Sequence, residues 1–232
     1  SFLFTEKDLV VTVGQDGLVA NTAKYVGAQP IVAVNPDPAR FDGVLLPFRP
    51  EQAAAAARRV LEGRARLRAV TMAEANLSDG QRLLAFNDLF IGAGSHVSAR
   101  YRITVGTASE PHSSSGVLVA TGAGSTGWLS SVFNMAAGVA SFSGGRGGDS
   151  LRLEWEDGRL VFVVREPFAS KHSRAGLVAG LLEPGQELLL ESLMPAGGVI
   201  FSDGIEADFL AFNSGAVARI RASEQRAQLV VR

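Results

Sequence analysis

The apolar positions change their period near residue 63. Before it, short continuous apolar runs alternate with helical spacing. The stretch 8–13 ends in Gly14-Gln15-Asp16-Gly17, the pattern of a buried strand stopped by a tight turn. Residues 18–25 carry helical spacing that Gly27 can end, and 30–35 reads as a second buried strand. Strand, helix and strand in about thirty residues predict a right-handed parallel unit. A turn-rich connection at 35–43 leads to a short apolar piece at 44–48, and Pro50 opens a helix whose alanine run ends in Arg58 and Arg59.

Beyond Gly63 the pattern becomes one of strands. Residues 66–75 and 82–91 flank Ser78-Asp79-Gly80 as a hairpin. Further strands are predicted at 97–106, 116–120, 150–155, 159–164, 187–191, 198–202, 216–222 and 227–231. Asp157-Gly158 reads as the turn of a hairpin, and Ser113-Ser114-Ser115 as loop. Together these predict a largely antiparallel β domain over 64–232, after an α/β domain over 1–63. The glycine-rich piece 141–148 is expected to be a mobile loop.

One stretch departs from these patterns. The apolar run 117–120 enters Thr121-Gly122-Ala123-Gly124-Ser125-Thr126-Gly127-Trp128, followed by a helical stretch over 128–135. Three glycines that admit a ligand to the backbone, two hydroxyls and a helix N-terminus predict a phosphate cradle formed by Gly122, Gly124 and Ser125, with Trp128 placed to stack on a base. The spacing also fits the dinucleotide fingerprint G-x-G-x-x-G, but that unit needs a parallel strand after the helix and the hairpin expected at 150–164 argues against it. A ligand-free flexible turn is the bland alternative.

Composition narrows the partners. A hydrophobic content of 47% over 232 residues sustains a core, and a net charge of −1 gives no broad field for nucleic acid or an acidic membrane. Cysteine is absent, which removes disulfide and thiolate chemistry and fits a reducing cytoplasm. No apolar run is long enough to span a membrane, and no signal segment opens the sequence. His96, His112 and His172 lack metal-ligand spacing, and no P-loop motif is present. Lys171, His172 and Arg174, with Arg165 upstream, read as a solvated basic face more readily than as a phosphate site. Phe209-Leu210-Ala211-Phe212 reads as core or a subunit contact.

Three separated pieces then resemble one family. Gly14-Gln15-Asp16-Gly17 resembles the Gly-Gly-Asp-Gly motif of the NAD kinases and their diacylglycerol-kinase-like and phosphofructokinase-like relatives. Asn87-Asp88 resembles their Asn-Glu pair, and 121–128 their Thr-Pro-Thr-Gly-Ser-Thr-Ala-Tyr segment. Phe201-Ser202-Asp203-Gly204 resembles a late Asp-Gly turn. The resemblance spans nearly the whole chain. It implies a Rossmann-like N-terminal α/β domain and a β-sandwich-like C-terminal domain, the last segment free to pack back on the first, with the site in the cleft between them. It also implies phosphoryl transfer from ATP, with Mg²⁺, to the 2′-hydroxyl of the adenosine ribose of NAD, in a homo-oligomer. Asp16 is similar to the residue that takes the hydroxyl proton. Gly14, Gly17, Asn87, Asp88, Thr126, Gly127, Trp128 and Ser131 lie where the family holds substrate, with no protein metal site.

The sequence departs from the family at Gln15, Leu18, Gly122, Ala123 and Trp128, and Ser115 stands where many members have an aspartate. A different acceptor, whether a sugar, a lipid or another nucleotide, or a binding protein without turnover, are the alternatives these departures leave. Asn87 and Asp88 are adjacent polar residues in an apolar strand and point to opposite faces, so the strand is expected to end or bulge there.

Overall fold

The computed structural model describes residues 4–5, 7–148 and 150–232. In chain order its elements are β1 (Val10–Val13), α1 (Asp16–Ala23), β2 (Pro30–Val34), α2 (Pro50–Leu61), β3 (Arg66–Leu77), β4 (Arg82–Ala85), β5 (Asp88–Ala93), β6 (Ala99–Val105) and β7 (Ala108–Ser114). There follow β8 (Val117–Ala120), a single-turn helix (Ala123–Thr126), α3 (Trp128–Phe142), β9 (Leu160–Val164), β10 (Ala179–Leu182), β11 (Leu188–Ser192), β12 (Gly198–Ser202), β13 (Phe209–Ala211) and β14 (Val217–Val231).

The expected parallel unit forms: Val10 pairs with Ile31 and Val13 with Val34, with α1 as the crossover. Val10, Ile31 and Ala33 bury against Val19, Ala20 and Ala23 of α1, while Val32 and Val34 bury against Ala56 of α2. One sheet thus has a helix on each face, as continuous apolar strands require. The sheet then continues through β14, whose C-terminal end pairs in parallel with β2 at Gln228↔Pro30, into an eight-stranded sheet shared by the α/β and β-rich regions. The six-stranded sheet β10-β9-β8-β5-β12-β13 packs on the β-rich part. Leu89, Ile91, Val117, Val119 and Phe162 face Tyr101, Ile103, Leu188 and Ile220 across that sandwich core.

Several expectations change. Residues 150–155 form no strand, and the hairpin about Asp157 is absent. Trp155 accepts the Thr71 N–H through its carbonyl, Leu153 is buried under α3, and the Asp157 carboxylate is taken by Arg159. The segment therefore serves as a packed strap. The strand after α3 is β9, antiparallel to β8, so the dinucleotide unit is absent for a different reason from the one expected. Residues 217–231 make one strand with a bulge between Ala222 and Arg226, where two were expected. Residues 113–114 are strand, because the polar side chains of β7 find partners: Ser114 bonds Tyr101 at 2.7 Å and His112 bonds Glu110 at 2.7 Å. Residues 141–142 extend α3. Phe212 is core, while Phe209 is 50% exposed.

Candidate functional site

The site is organised by a break in one strand. β4 ends at Ala85 in the larger sheet and β5 begins at Asp88 in the smaller one, leaving Phe86 and Asn87 to cross between layers. Crossing strands leave backbone donors unpaired, and one carboxylate collects them. Asp203, in the turn after β12, accepts N–H groups from Phe86 at 3.0 Å, Asn87 at 2.6 Å and Asp88 at 3.3 Å. Thr121 completes the crossing, its hydroxyl donating to the Phe86 carbonyl at 2.6 Å and its N–H to that of Asn87 at 2.9 Å. With its backbone satisfied, the Asn87 side chain makes no hydrogen bond among the described residues and is free for a ligand.

Asp203 is itself held from the α/β region. Lys24, capping α1, donates to the Ser202 hydroxyl at 2.9 Å and lies 3.9 Å from the Asp203 carboxylate, with side chains only 2% and 3% exposed. Burial raises the Asp203 pKa against the pull of its backbone donors and Lys24, and lowers that of Lys24 against the pull of Asp203. Asp88 is 7% exposed, and burial first, then the Asp203 charge, pushes its carboxyl up to about 7.

Asp16 begins α1 directly after β1, and its carboxylate accepts the Leu45 N–H at 2.6 Å through one oxygen. Val19 and Leu45 share an apolar cluster with Phe86 and Ala123, so the N-terminal carboxylate, the strand break and the glycine turn rest on common packing. Gly14 is filled against Leu18, whereas nothing stands within 4 Å of where a Gly17 Cβ would lie.

In the glycine turn, the residues expected to cradle a phosphate have partners within the chain. A methyl on Gly122 would overlap the Glu154 carbonyl and one on Gly124 the Asn87 carbonyl, so both glycines admit the protein's own backbone. Ser125 is 1% exposed and its hydroxyl donates to the Gly122 carbonyl at 2.7 Å. Thr121 accepts the Gly124 N–H at 3.2 Å. These groups brace the break. Thr126 is exposed, and Gly127 and Ser131 follow it at the start of α3.

Trp128 lies past the turn, its ring stacked on Phe90 at 5.7 Å and 13°, and Phe90 in turn meets Phe201 at 4.9 Å. Asp88, Phe90 and Gly92 alternate onto the outer face of β5, so the aromatic group continues the face that starts at the break. It floors a cavity of about 1140 Å³, walled by Ser115, Arg165 and Phe209 with Glu166 and Glu206 at exposed positions. The non-glycine residues with left-handed backbones among those described, Glu166 (φ 47°) and Asp203 (φ 53°), border this face. Such conformations gather where structure outside the local chain dictates them.

Sequence reasoning brings forward Asp16, Asn87, Asp88 and Trp128 and misses Asp203, Lys24, Phe90 and Arg165 as site residues. The Asp203-Gly204 turn is visible in the sequence. Lys24 carries no local signal, since its partner Ser202 lies 178 residues away. Lys171, His172 and Arg174 lie exposed on the loop along β7, apart from Arg165 at the aromatic floor.

Neither family models nor curated protein sequences give a match to this sequence. Solved structures do. Over 97% of its length the chain resembles yeast NADH kinase complexed with NADH, at 19% identity and a TM-score of 0.72. Over 96% of its length it resembles an NAD kinase from Archaeoglobus fulgidus in complex with ATP, at 19% identity and a TM-score of 0.63. The chain spans 62% of the yeast protein and 77% of the archaeal one. Its fold is that of the NAD kinases: a Rossmann-like α/β part joined to a β-sandwich-like part. Among the described residues no helix is long and apolar enough to cross a membrane.

Proposed function

We propose that this protein is an NAD kinase-like phosphotransferase that moves the terminal phosphoryl group of ATP to the 2′-hydroxyl of the adenosine ribose of NAD. The observation that carries the reading is the convergence of Asp16, at a strand end and helix start, with the strand break that presents Asn87 and Asp88 on one packed cluster. Asp16 takes the proton of the acceptor hydroxyl as that oxygen bonds to the γ-phosphorus. The bond from phosphorus to the bridging oxygen breaks and ADP leaves. Asn87 has both amide donors and its carbonyl available for the ribose or base, and Asp88, with its raised pKa, is able to donate as well as accept.

No group of three or more His, Asp or Glu side chains among the described residues converges as a metal cage. Mg²⁺ carried on the phosphates of ATP needs only one or two protein carboxylates. One Asp16 oxygen accepts the Leu45 N–H and the other is the proposed proton acceptor, so the ion would be held by the phosphates of ATP. The ion would offset charge on the transferred phosphoryl group.

The test is incubation of the purified protein with Mg²⁺, ATP and NAD, assayed for NADP, with NADH as a second acceptor. NADP or NADPH formation that depends on ATP is expected, and none with either acceptor overturns the reading. One observation favours a binding protein without turnover: the 2.6 Å bond from Leu45 to Asp16 is also what a purely structural helix-start aspartate would make. Nucleotide binding without product would select that alternative.

A further inference from the structure

Arg165 stands where β8 and β9 part, its backbone N–H donating to the Gly116 carbonyl at 2.8 Å and its carbonyl accepting the Ser115 N–H at 2.9 Å. Those bonds fix the residue at the cavity wall. Its guanidinium carbon lies 5.2 Å from the Trp128 ring and 5.9 Å from the Phe90 ring, themselves 5.7 Å apart. The triangle is nearly equilateral, so Arg165 sits beside the stacked pair and does not cap Trp128 opposite Phe90.

Other arginines of this chain have found carboxylates. Arg82 and Arg221 share Glu74, Arg159 takes Asp157, and Arg68 takes Glu156. Arg165 is half-buried, and its guanidinium makes no hydrogen bond or ion pair with any described residue. A guanidinium has five donors in a planar fork, and aromatic neighbours satisfy its faces while leaving its edge unpaired. An edge of that kind, beside an aromatic floor in a cavity, matches a ligand that joins a planar ring to a two-oxygen anion. Glu166 and Glu206 also line the cavity, but both are exposed, where solvent and salt screen them.

We propose that Arg165 is a specificity residue that grips a phosphate of the acceptor nucleotide while the nucleotide's ring system lies on the Phe90–Trp128 floor. The inference rests on the phosphotransferase reading and adds a substrate class: an acceptor that already carries phosphate is taken in preference to a bare nucleoside. Ser115 is part of the same device. Its N–H donates to the Arg165 carbonyl and it lines the same cavity, so a carboxylate introduced there would offer the guanidinium a partner.

Calorimetric titration of adenosine, AMP and NAD into the wild type, Arg165→Gln and Ser115→Asp, each checked by thermal melting, tests this. The wild type is expected to bind AMP and NAD more tightly than adenosine. Both variants should lose about tenfold to hundredfold in AMP and NAD affinity, the scale of a charge-assisted contact, with adenosine unchanged. The loss should shrink at high salt. Unchanged AMP and NAD affinity in a folded Arg165→Gln overturns the proposal. An equal loss for adenosine does so too, by making Arg165 a prop for the aromatic floor. If Arg165→Gln does not fold, Ser115→Asp draws the same distinction with the guanidinium in place. Absence of any nucleotide binding by the wild type would instead sink the phosphotransferase reading itself, a different outcome from binding that ignores Arg165.

Discussion

The glycine turn at 121–127 and the strand break at 86–88 touch each other, yet they use their polar groups in opposite ways. In the turn, the three residues expected to form the phosphate cradle meet the chain itself: Ser125 donates to the Gly122 carbonyl, and Gly122 and Gly124 lie against the Glu154 and Asn87 carbonyls. In the break, Asp203 and Thr121 satisfy the backbone so completely that the Asn87 side chain is released. The conspicuous motif braces the fold, and the inconspicuous one leaves a polar side chain without a partner among the described residues. A glycine reports only that something approaches its Cα, and here it is the chain's own carbonyl.

The largest expected effect breaks the brace. Gly124→Ala and Gly122→Ala each drive a methyl into a backbone carbonyl that has no room to retreat, so each should leave little folded protein, as circular dichroism or urea titration would show. Gly17→Ala, which meets nothing, is the control and should cost little or even stabilise the protein. A folded, stable Gly124→Ala would return the turn to the flexible loop it resembles in sequence.

Next comes the reacting end. Asp16→Asn keeps the shape and the Leu45 contact through its side-chain oxygen but removes the proton acceptor. Turnover should fall by about 10²- to 10⁴-fold with melting temperature nearly unchanged. Full activity in this variant would leave Asp16 as a helix-start residue only.

The break itself should respond to pH. Asp88 has a folded pKa raised to about 7, against roughly 3.9 when unfolded. Between those values the folded state holds the extra proton, so stability falls as pH rises through the window and levels off above about 7. The full difference corresponds to an upper bound of about 4 kcal/mol. Asp88→Asn removes the ionising group, so its stability from pH 5 to 8 should lack the Asp88 part of that decline and exceed wild type at pH 8. Urea titrations at each pH measure this, and parallel curves for the two proteins would show that Asp88 ionises without penalty. The Asp203 charge acts on Asp88, so the difference between the two proteins reports the titration of the pair, with Asp203 eased by the loss of its neighbour's charge.

Much of the fold is legible because its signals are local. Continuous apolar runs mark β1, β2 and β8, and alternation marks β6. The β7 strand is not, since Glu110, His112 and Ser114 look like loop until Tyr101 and the 176–177 backbone are seen to pair with them. The same limit divides the site. Asn87-Asp88 stands out as a polar pair in an apolar strand, a contradiction that only a break resolves. Lys24, Asp203 and Arg165 matter through partners that the sequence does not place beside them. Phe90 passes for core because its inward neighbours Leu89 and Ile91 are core.

The smallest expected effect separates brace from cradle most directly. Ser125→Ala deletes a buried hydroxyl that donates to the Gly122 carbonyl at 2.7 Å and lies 3.4 Å from the Leu153 carbonyl. The Gly122 carbonyl keeps a second donor, the Ser125 N–H at 3.2 Å, so no acceptor is left bare and the loss belongs at the low end for a buried hydrogen bond, about 1 kcal/mol. Nucleotide affinity should not change, because the hydroxyl faces inward at 1% exposure. A phosphate-binding serine would do the reverse, leaving stability intact and weakening ATP and NAD binding severalfold or more through loss of a donor to a charged group. Thermal melting and nucleotide titration on the single variant therefore separate the two readings, since each predicts a change in only one of them. A drop in affinity at unchanged stability would restore the cradle.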